Sequence, residues 1–577
     1  MSQQQSSSTA SSTLSITEMI IFGGILAFWV IGGLMLAVAA VLAGGHPNNP
    51  FGWPVLAVGN MFSGQELRPW EWVGASYITS PLFFWGLVIA QIALSGVPAI
   101  LTYGKWRGVL PNTITSHKTP NASGWGKAWD KQIRKLIVTK IGEAGRVILG
   151  WRGRLLLATE PGASMLIFGP TQSGKTAGIC IPAILEWTGP ILSISIKRDL
   201  VDTTAGYRQR KGKVLIYDPS GVTDLPCMKF SPHFFCQDFE TAWKIGNWLS
   251  GVIDRGKSRG DSDWGHWRDA AHRLLAVAFY AGANLGAPMS EVRSWIDDGS
   301  GESLRHALSL IPDCDQTAIE VYQSVQQRPE RERGSCYSTT QRIVSVFMER
   351  KVAASAESNE FNPRDFLLDG ENTLYLVAPL EDQDRLAILF VAVIQILLDT
   401  TAEIAQSSPS GKIPQRLLLV MDELANTAPI EKLPNYLSTG FSQGISVIAV
   451  FQDMAQIRDR YQERTETIIN NSRAKLFLSG IGDMQTLETA EKLVGEEKYK
   501  EKKWSIDHQG HRSNNYSIER RRMAPAYIVR ELAPMTGLLL YHYLKPQMLG
   551  LRPWFKNRIL QQKAAIPFIP GAMRVVA

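Results

Sequence analysis

The stretch Gly169-Pro170-Thr171-Gln172-Ser173-Gly174-Lys175-Thr176 places two glycines ahead of an adjacent lysine and threonine. In that spacing the glycines let successive backbone N–H groups curl around phosphate oxygens, helped by the positive end of the helix that follows. Lys175 can then reach the β- and γ-phosphates of a nucleoside triphosphate, and the Thr176 hydroxyl can ligate Mg2+. Far downstream, Leu417-Leu418-Leu419-Val420-Met421 ends in Asp422-Glu423. An apolar run ending in two acids is a buried strand delivering carboxylates to its C-terminal edge, where open α/β sheets bind ligands. Asp422 is expected to hold Mg2+ through water. Glu423 is expected to polarise the attacking water, as the second acid does in ATP-driven motors. Gln452 follows the apolar residues 446–451 at a further strand edge. An amide there could read the γ-phosphate and relay hydrolysis to the next helix; a plain capping glutamine is the simpler alternative.

These groups need a sheet to hold them. Met165–Phe168 reads as a strand, followed by the glycine turn and an apolar helix beginning near Lys175. Residues 191–196, Val214–Tyr217, 373–378, Leu417–Met421, 446–451 and 475–478 read as further strands. Short continuous apolar strands alternating with helices predict an α/β fold, with a mostly parallel sheet covered on both faces. Residues 239–350 instead show helical spacing (Trp243, Ile245, Trp248, Leu249; His272, Leu274, Leu275, Ala278, Phe279), which predicts an all-α domain inserted into the α/β domain. Trp264, Trp267 and Arg268 lie within it and could contact bases, with helix packing the plainer reading. Residues 496–517 are highly polar and read as a mobile surface loop with a solvated charged face.

Composition narrows the classes. Of 577 residues, 45% are apolar and 20% charged, which excludes a disordered chain and a wholly membrane-embedded transporter. Sixty Lys+Arg against 53 Asp+Glu give a net charge of +7, suited to an anionic partner such as nucleic acid or phospholipid headgroups. The five cysteines form no CxxC pair, which argues against a disulfide framework or a zinc ribbon. No charged residue occurs over 20–45, about 39 Å of helix against a hydrocarbon core of about 30 Å. A second apolar span runs over about 75–103, and the connection between them holds Trp53, Trp70 and Trp72, suited to the headgroup belt. Lys105, Arg107, Lys118, Lys127 and Lys131 follow the second span, so the positive-inside rule puts the bulk of the chain in the cytoplasm together with the N-terminus. The uncharged Ser/Gln-rich tip reads as disordered and lacks the basic start of a signal peptide. The predicted organisation is a transmembrane region over 1–107, a nucleotide-binding domain over 108–238 and 351–577, and the all-α insert over 239–350.

Taken with the apolar hairpin, GPTQSGKT, LLLVMDELANTAPI over 417–430, LSTGFSQGI over 437–445 and FQDMAQIRDRY over 451–461 resemble the type IV secretion coupling proteins, the TraG/TraD-type conjugation ATPases. The similarity extends over nearly the whole chain. It implies a RecA-like P-loop domain with a helical insert, in an ATPase of the bacterial inner membrane that works as a homohexamer with ATP and Mg2+. It further implies recruitment of cargo, a relaxase with single-stranded DNA or an effector protein, and its transfer to a type IV secretion channel. The sequence departs from the family at Phe441, where many members carry an arginine that serves as a candidate trans-acting finger. Arg458, Arg460 and Arg473 lie near strand ends, and none is singled out. A non-hydrolysing receptor or a membrane-anchored double-stranded DNA translocase would use the same motifs; the intact Lys175, Asp422 and Glu423 weigh against the first.

Overall fold

The computed structural model describes residues 133–252, 262–423, 433–506 and 512–571. The two apolar spans and the N-terminal tip lie outside the described residues, as do 424–432 after the paired acids.

The strands are β1 (Ile148–Arg152), β2 (Leu155–Ala158), β3 (Met165–Phe168), β4 (Ile191–Ser195), β5 (Val214–Tyr217), β6 (Thr373–Val377), β7 (Leu417–Met421), β8 (Ile445–Phe451), β9 (Ala474–Leu478), β10 (Glu496–Ile506), β11 (Arg512–Arg522), β12 (Thr536–Tyr541) and β13 (Gln547–Gly550). Eleven of them form one sheet in the order β2-β1-β13-β12-β9-β3-β8-β7-β4-β6-β5. From β9 to β5 all neighbours are parallel. On the other side of β9, the strands β12, β13, β1 and β2 extend the sheet with antiparallel pairs. This is a mixed α/β sheet of the RecA-like nucleotide-binding type.

The unbroken apolar runs are explained by burial on both faces. Leu166, Phe168, Leu419 and Met421 belong to one hydrophobic core, and Met165, Ile167, Leu418 and Val420 to the other. Helix Asp199–Gln209 and the helix ending at Glu186 contribute to the second core through Leu200, Val201, Ile184 and Leu185. Helix Gln383–Ser407 fills the first core through Leu386, Leu389, Phe390, Val393 and Leu397. Residues 385–407 are apolar and long enough to cross a bilayer, yet 78% of their most apolar window is buried within the protein body. The partner for that apolar surface is the sheet, not lipid.

Between β5 and β6 the described chain is helical, including Phe239–Ser250, Ser262–Leu285, Met289–Asp297, Glu302–Ser309, Gln316–Gln326 and Glu330–Val344. Asp238 caps the first of these by accepting from the Thr241 N–H at 2.8 Å. His233, buried at the entrance to these helices, lies 2.9 Å through Nε2 from the Ala287 carbonyl. A carbonyl only accepts, so Nε2 carries the proton and Nδ1 accepts from the Ser231 hydroxyl at 2.7 Å. Burial pushes His233 down to about 4 from 6.5. The unfolded chain therefore takes up a proton first as pH falls, and stability drains away from about 6.5 to about 4. The full effect is about 3 kcal/mol. Acid unfolding of the full chain should lose much of its slope in that window in a His233→Gln variant, whose amide can still donate to Ala287; an unchanged slope would place the acid sensitivity elsewhere.

Residues 496–517 are not a loop. β10 and β11 form a two-stranded antiparallel ribbon that joins no other strand among the described residues. Their polarity reflects a ribbon outside the main sheet. Tyr499, Trp504, Ile506, Tyr516 and Ile518 supply the strand-favouring residues.

Candidate nucleotide site

The chain leaves β3 at Phe168 and doubles back at once. The Gly169 N–H donates to the Phe451 carbonyl at 3.2 Å, tying the turn to the end of β8. A Cβ at Gly169 would lie 2.5 Å from the Ser173 hydroxyl. Gly174 has φ +94°, and a Cβ there would strike the Met535 sulfur at 2.5 Å, so both the backbone conformation and the packing call for glycine. Thr171 and Gln172 are exposed at the tip, and Ser173 is buried with no hydrogen-bond partner for its hydroxyl among the described residues. After the turn a π-helical segment, Thr176–Cys180, leads into helix Ile181–Glu186.

Lys175 is buried and held by the turn itself: its Nζ donates to the carbonyls of Gly169 at 2.5 Å and Pro170 at 2.8 Å. Burial lowers its pKa, the nearby Lys197 charge adds to that, and Asp422 and Glu423 oppose it. The Thr176 hydroxyl donates to Asp422 Oδ2 at 2.7 Å. Two residues 246 apart in sequence thus meet, because β3 and β7 flank β8 in the sheet. The Asp422 N–H donates to the Ile194 carbonyl of β4 at 3.0 Å, which fixes the acid to the sheet edge. Burial raises the Asp422 carboxyl to about 6, and the Thr176 hydrogen bond works against that rise. Glu423 has φ +61°, a left-handed conformation uncommon for a residue with a side chain. Gln452 directly follows β8 between the glycine turn and the acids; its N–H donates to Gln456 Oε1 at 2.8 Å, while Asp453 caps the next helix through the Gln456 N–H.

The residues present fit a magnesium nucleotide. A buried hydroxyl without a partner sits in the turn, the lysine ammonium is already aimed among the turn's carbonyls, and a buried carboxylate is paired with a hydroxyl across the sheet edge. The sequence reading missed Lys197 and Asp199, which follow β4. The charge of Lys197 acts on Lys175, and that of Asp199 on Asp422. Their signal was available, since charged residues at the C-terminal end of a parallel strand belong to the ligand-binding edge.

Other candidates lie elsewhere. Phe441 is exposed, and its ring has the Arg473 guanidinium at 5.2 Å, the Arg416 guanidinium at 5.4 Å and the Lys412 ammonium at 5.5 Å. This cluster lies at the N-terminal ends of β7, β8 and β9, the edge opposite the glycine turn, roughly 17 Å away across a five-residue strand. Arg473 pairs with Glu160 at 2.6 Å. Arg458, on helix Met454–Tyr461 with Arg460, donates to Gln485 Oε1 at 2.8 Å. Trp264, Trp267 and Arg268 fall in the first turns of helix Ser262–Leu285, where Arg268 lies 3.4 Å from Asp269.

Comparison with known proteins matches residues 120–570 to the type IV secretory system conjugative DNA transfer family. The chain belongs to that family. It is 22% identical over 462 residues to a conjugal transfer protein TraG of Escherichia coli, covering 72% of this chain and 70% of the relative. A TraG of Rhizobium radiobacter is 22% identical over 344 residues, covering 57% of this chain and 52% of the relative. Among solved structures, the unbound conjugative coupling protein TrwBdeltaN70 superposes with a TM-score of 0.52 at 17% identity, covering 67% of this chain and 85% of that one. The plasmid coupling protein TrwB in complex with ADP and Mg2+ gives 0.51 at 18% identity, covering 68% and 85%. The two structures share the fold of this chain.

Proposed function

We propose that this chain is an ATP-hydrolysing coupling protein of conjugative type IV secretion, anchored in the bacterial inner membrane by the apolar spans over 20–45 and 75–103. The observation that carries the reading is the 2.7 Å hydrogen bond from Thr176 to Asp422, which closes the phosphate turn onto the paired acids. The structural relative with ADP and Mg2+ supports the same ligands here. Gly169, Pro170, Thr171, Gln172, Ser173 and Gly174 would wrap the phosphates. Lys175 would move its ammonium from the turn's carbonyls to phosphate oxygens, and Thr176 and Asp422 would hold the metal. Mg2+ supplies charge neutralisation on the β- and γ-phosphate oxygens when bound. Glu423 orients and deprotonates water, and Gln452 senses the terminal phosphate from the end of β8.

Work on cargo requires copies of the chain around a channel. The proposed assembly is a homohexamer that receives a relaxase with single-stranded DNA and delivers it to the secretion channel; the family's description, conjugative DNA transfer, supports DNA as cargo. Arg416 and Arg473 lie at the sheet edge opposite their own chain's nucleotide site, so neither serves it. Full-length protein in lipid should hydrolyse ATP faster when single-stranded DNA is added. Lys175→Ala should weaken nucleotide binding roughly ten- to a hundredfold, the range of a charge-assisted hydrogen bond in a buried site. Tight nucleotide binding without turnover in the parent protein would replace the motor with a receptor, and stimulation by duplex DNA alone would replace the cargo.

A further inference from the structure

The ribbon formed by β10 and β11 has two unlike faces. Its register pairs Lys498 with Arg520, Lys500 with Ile518, Lys502 with Tyr516, Trp504 with Asn514 and Ile506 with Arg512. Directly paired residues of an antiparallel ribbon share a face, and alternate residues along a strand share it too. One face therefore carries Lys498, Lys500, Lys502, Arg512 and Arg520, with Trp504 and Tyr516 among them, and its one acid, Glu496, stands opposite Arg522 at the base of the ribbon. The other face mixes signs, with Glu497 opposite Arg521, Glu519 opposite Tyr499, and Glu501 and Lys503 farther along. The polar loop read from composition is thus a sorted surface.

The sorting has a physical consequence. Like charges directly opposite each other destabilise a strand pair, and Lys498 stands opposite Arg520 with Lys500 two residues on. The second face instead sets Glu497 against Arg521, a stabilising pair. A concentration of cationic residues on one face of a ribbon favours anions. Lys498, Lys500 and Lys502 recur every second residue, about 6.8 Å apart along the strand, which suits a polymer with regularly spaced charges. Trp504 and Tyr516 are diagonal neighbours, since Tyr516 is paired with Lys502. Aromatic residues set into a cationic face are the means by which unpaired bases are bound, by stacking that every base accepts. A duplex keeps its bases stacked on one another and has no such use for them.

We propose that the cationic, aromatic face of the β10–β11 ribbon is a binding surface for single-stranded nucleic acid, with phosphates on Lys498, Lys500, Lys502 and Arg520 and bases on Trp504 and Tyr516. The proposal rests on the reading of the chain as a carrier of DNA and locates one contact with that cargo, away from the nucleotide site.

The test uses the full-length chain in lipid nanodiscs and a fluorescent oligothymidylate, with affinity measured across a salt series. Substituting Lys500→Gln and Lys502→Gln together should lower the slope of log affinity against log salt by about 1.4, two single-strand phosphate contacts. Lys503→Gln with Arg521→Gln, on the other face, should leave it unchanged. Trp504→Ala should weaken binding about tenfold, and Trp504→Phe should restore most of the loss. Basal ATP turnover in each variant checks that the protein is folded. Equal losses from the two faces, or none from the first, would overturn the ribbon assignment while the parent protein still binds DNA. A parent that binds no oligothymidylate would overturn the DNA reading itself. Tighter binding of a duplex, or loss of binding only to phosphatidylglycerol vesicles, would reassign the face to duplex DNA or to lipid.

Discussion

Glu423→Gln is expected to slow ATP turnover by on the order of 10²–10⁴-fold while leaving nucleotide affinity near that of the parent. The amide keeps the size of the side chain but cannot take a proton from water. Asp422, which holds the Thr176 hydroxyl, and Lys175 remain in place to keep the nucleotide. The backbone needs its own control. Glu423 sits at φ +61°, a conformation that costs a residue with a side chain roughly 1–2 kcal/mol and costs glycine nothing. Glu423→Gly therefore relieves the backbone and removes the carboxylate in one change. If the carboxylate is the base, both variants lose turnover alike in single-turnover hydrolysis, and the glycine variant gains thermal stability. If both lose affinity in step with turnover, Glu423 holds the nucleotide rather than the water. Full activity in either variant would take the base role away from this residue. On the proposed reading the strain at Glu423 is tolerated because the left-handed conformation gives the carboxylates of adjacent residues different tasks, Asp422 the metal and Glu423 the water.

The phosphate turn and the acid strand were legible because each half of the site is encoded locally. Gly169 to Thr176 is a continuous motif, and Leu417–Met421 is an unbroken apolar run that only a strand buried on both faces explains. Their meeting at Thr176 and Asp422 depends on β8 lying between β3 and β7, and strand order is a long-range property with no local signature. The same limit hid Lys197 and Asp199, which stand after a strand that was recognised but whose position beside β7 was not. The antiparallel extension by β12, β13, β1 and β2 was also not legible. β1 is interrupted by Gly150 and β13 ends on Gly550, so neither offers an unbroken apolar run. The ribbon was misread for a different reason: composition outweighed period. Counting charges over 496–517 gives a solvated loop, whereas placing them on alternating faces gives a sorted strand pair. Helix Gln383–Ser407 shows the converse, an apolar run whose hydropathy suits lipid and whose actual neighbour is the sheet.

The second large effect concerns the support behind the phosphate turn. Glu186 ends the helix that follows the turn, and Arg552 lies just beyond β13. The guanidinium donates through both terminal nitrogens to the two carboxylate oxygens at 2.7 Å, with the arginine side chain 4% and the glutamate side chain 6% exposed. The adjacent Leu551 packs against Gly178 near the turn. Removing one member of such a pair strands a buried charge, so Arg552→Met should destabilise the protein by about 3–5 kcal/mol. In a body of this size that lowers the unfolding midpoint by roughly 3–5 °C, and nucleotide affinity should fall with it because the helix behind the turn loses its anchor. The pair itself need not be strongly favourable. Among the described residues the buried Arg552 Nε has no hydrogen-bond partner, so the ionic contact does not offset all the desolvation it requires. Combining Arg552→Met with Glu186→Leu should therefore recover most of the lost stability, since an apolar pair of similar volume needs no dehydration of charge. Differential scanning fluorimetry on the parent, the two single variants and the double variant completes a double-mutant cycle. A double variant as unstable as Arg552→Met alone would show that the bidentate geometry, not charge balance, holds the helix against the end of β13. Recovered stability with affinity still low would show that the pair also sets the pitch at which the helix presents Lys175 and Thr176.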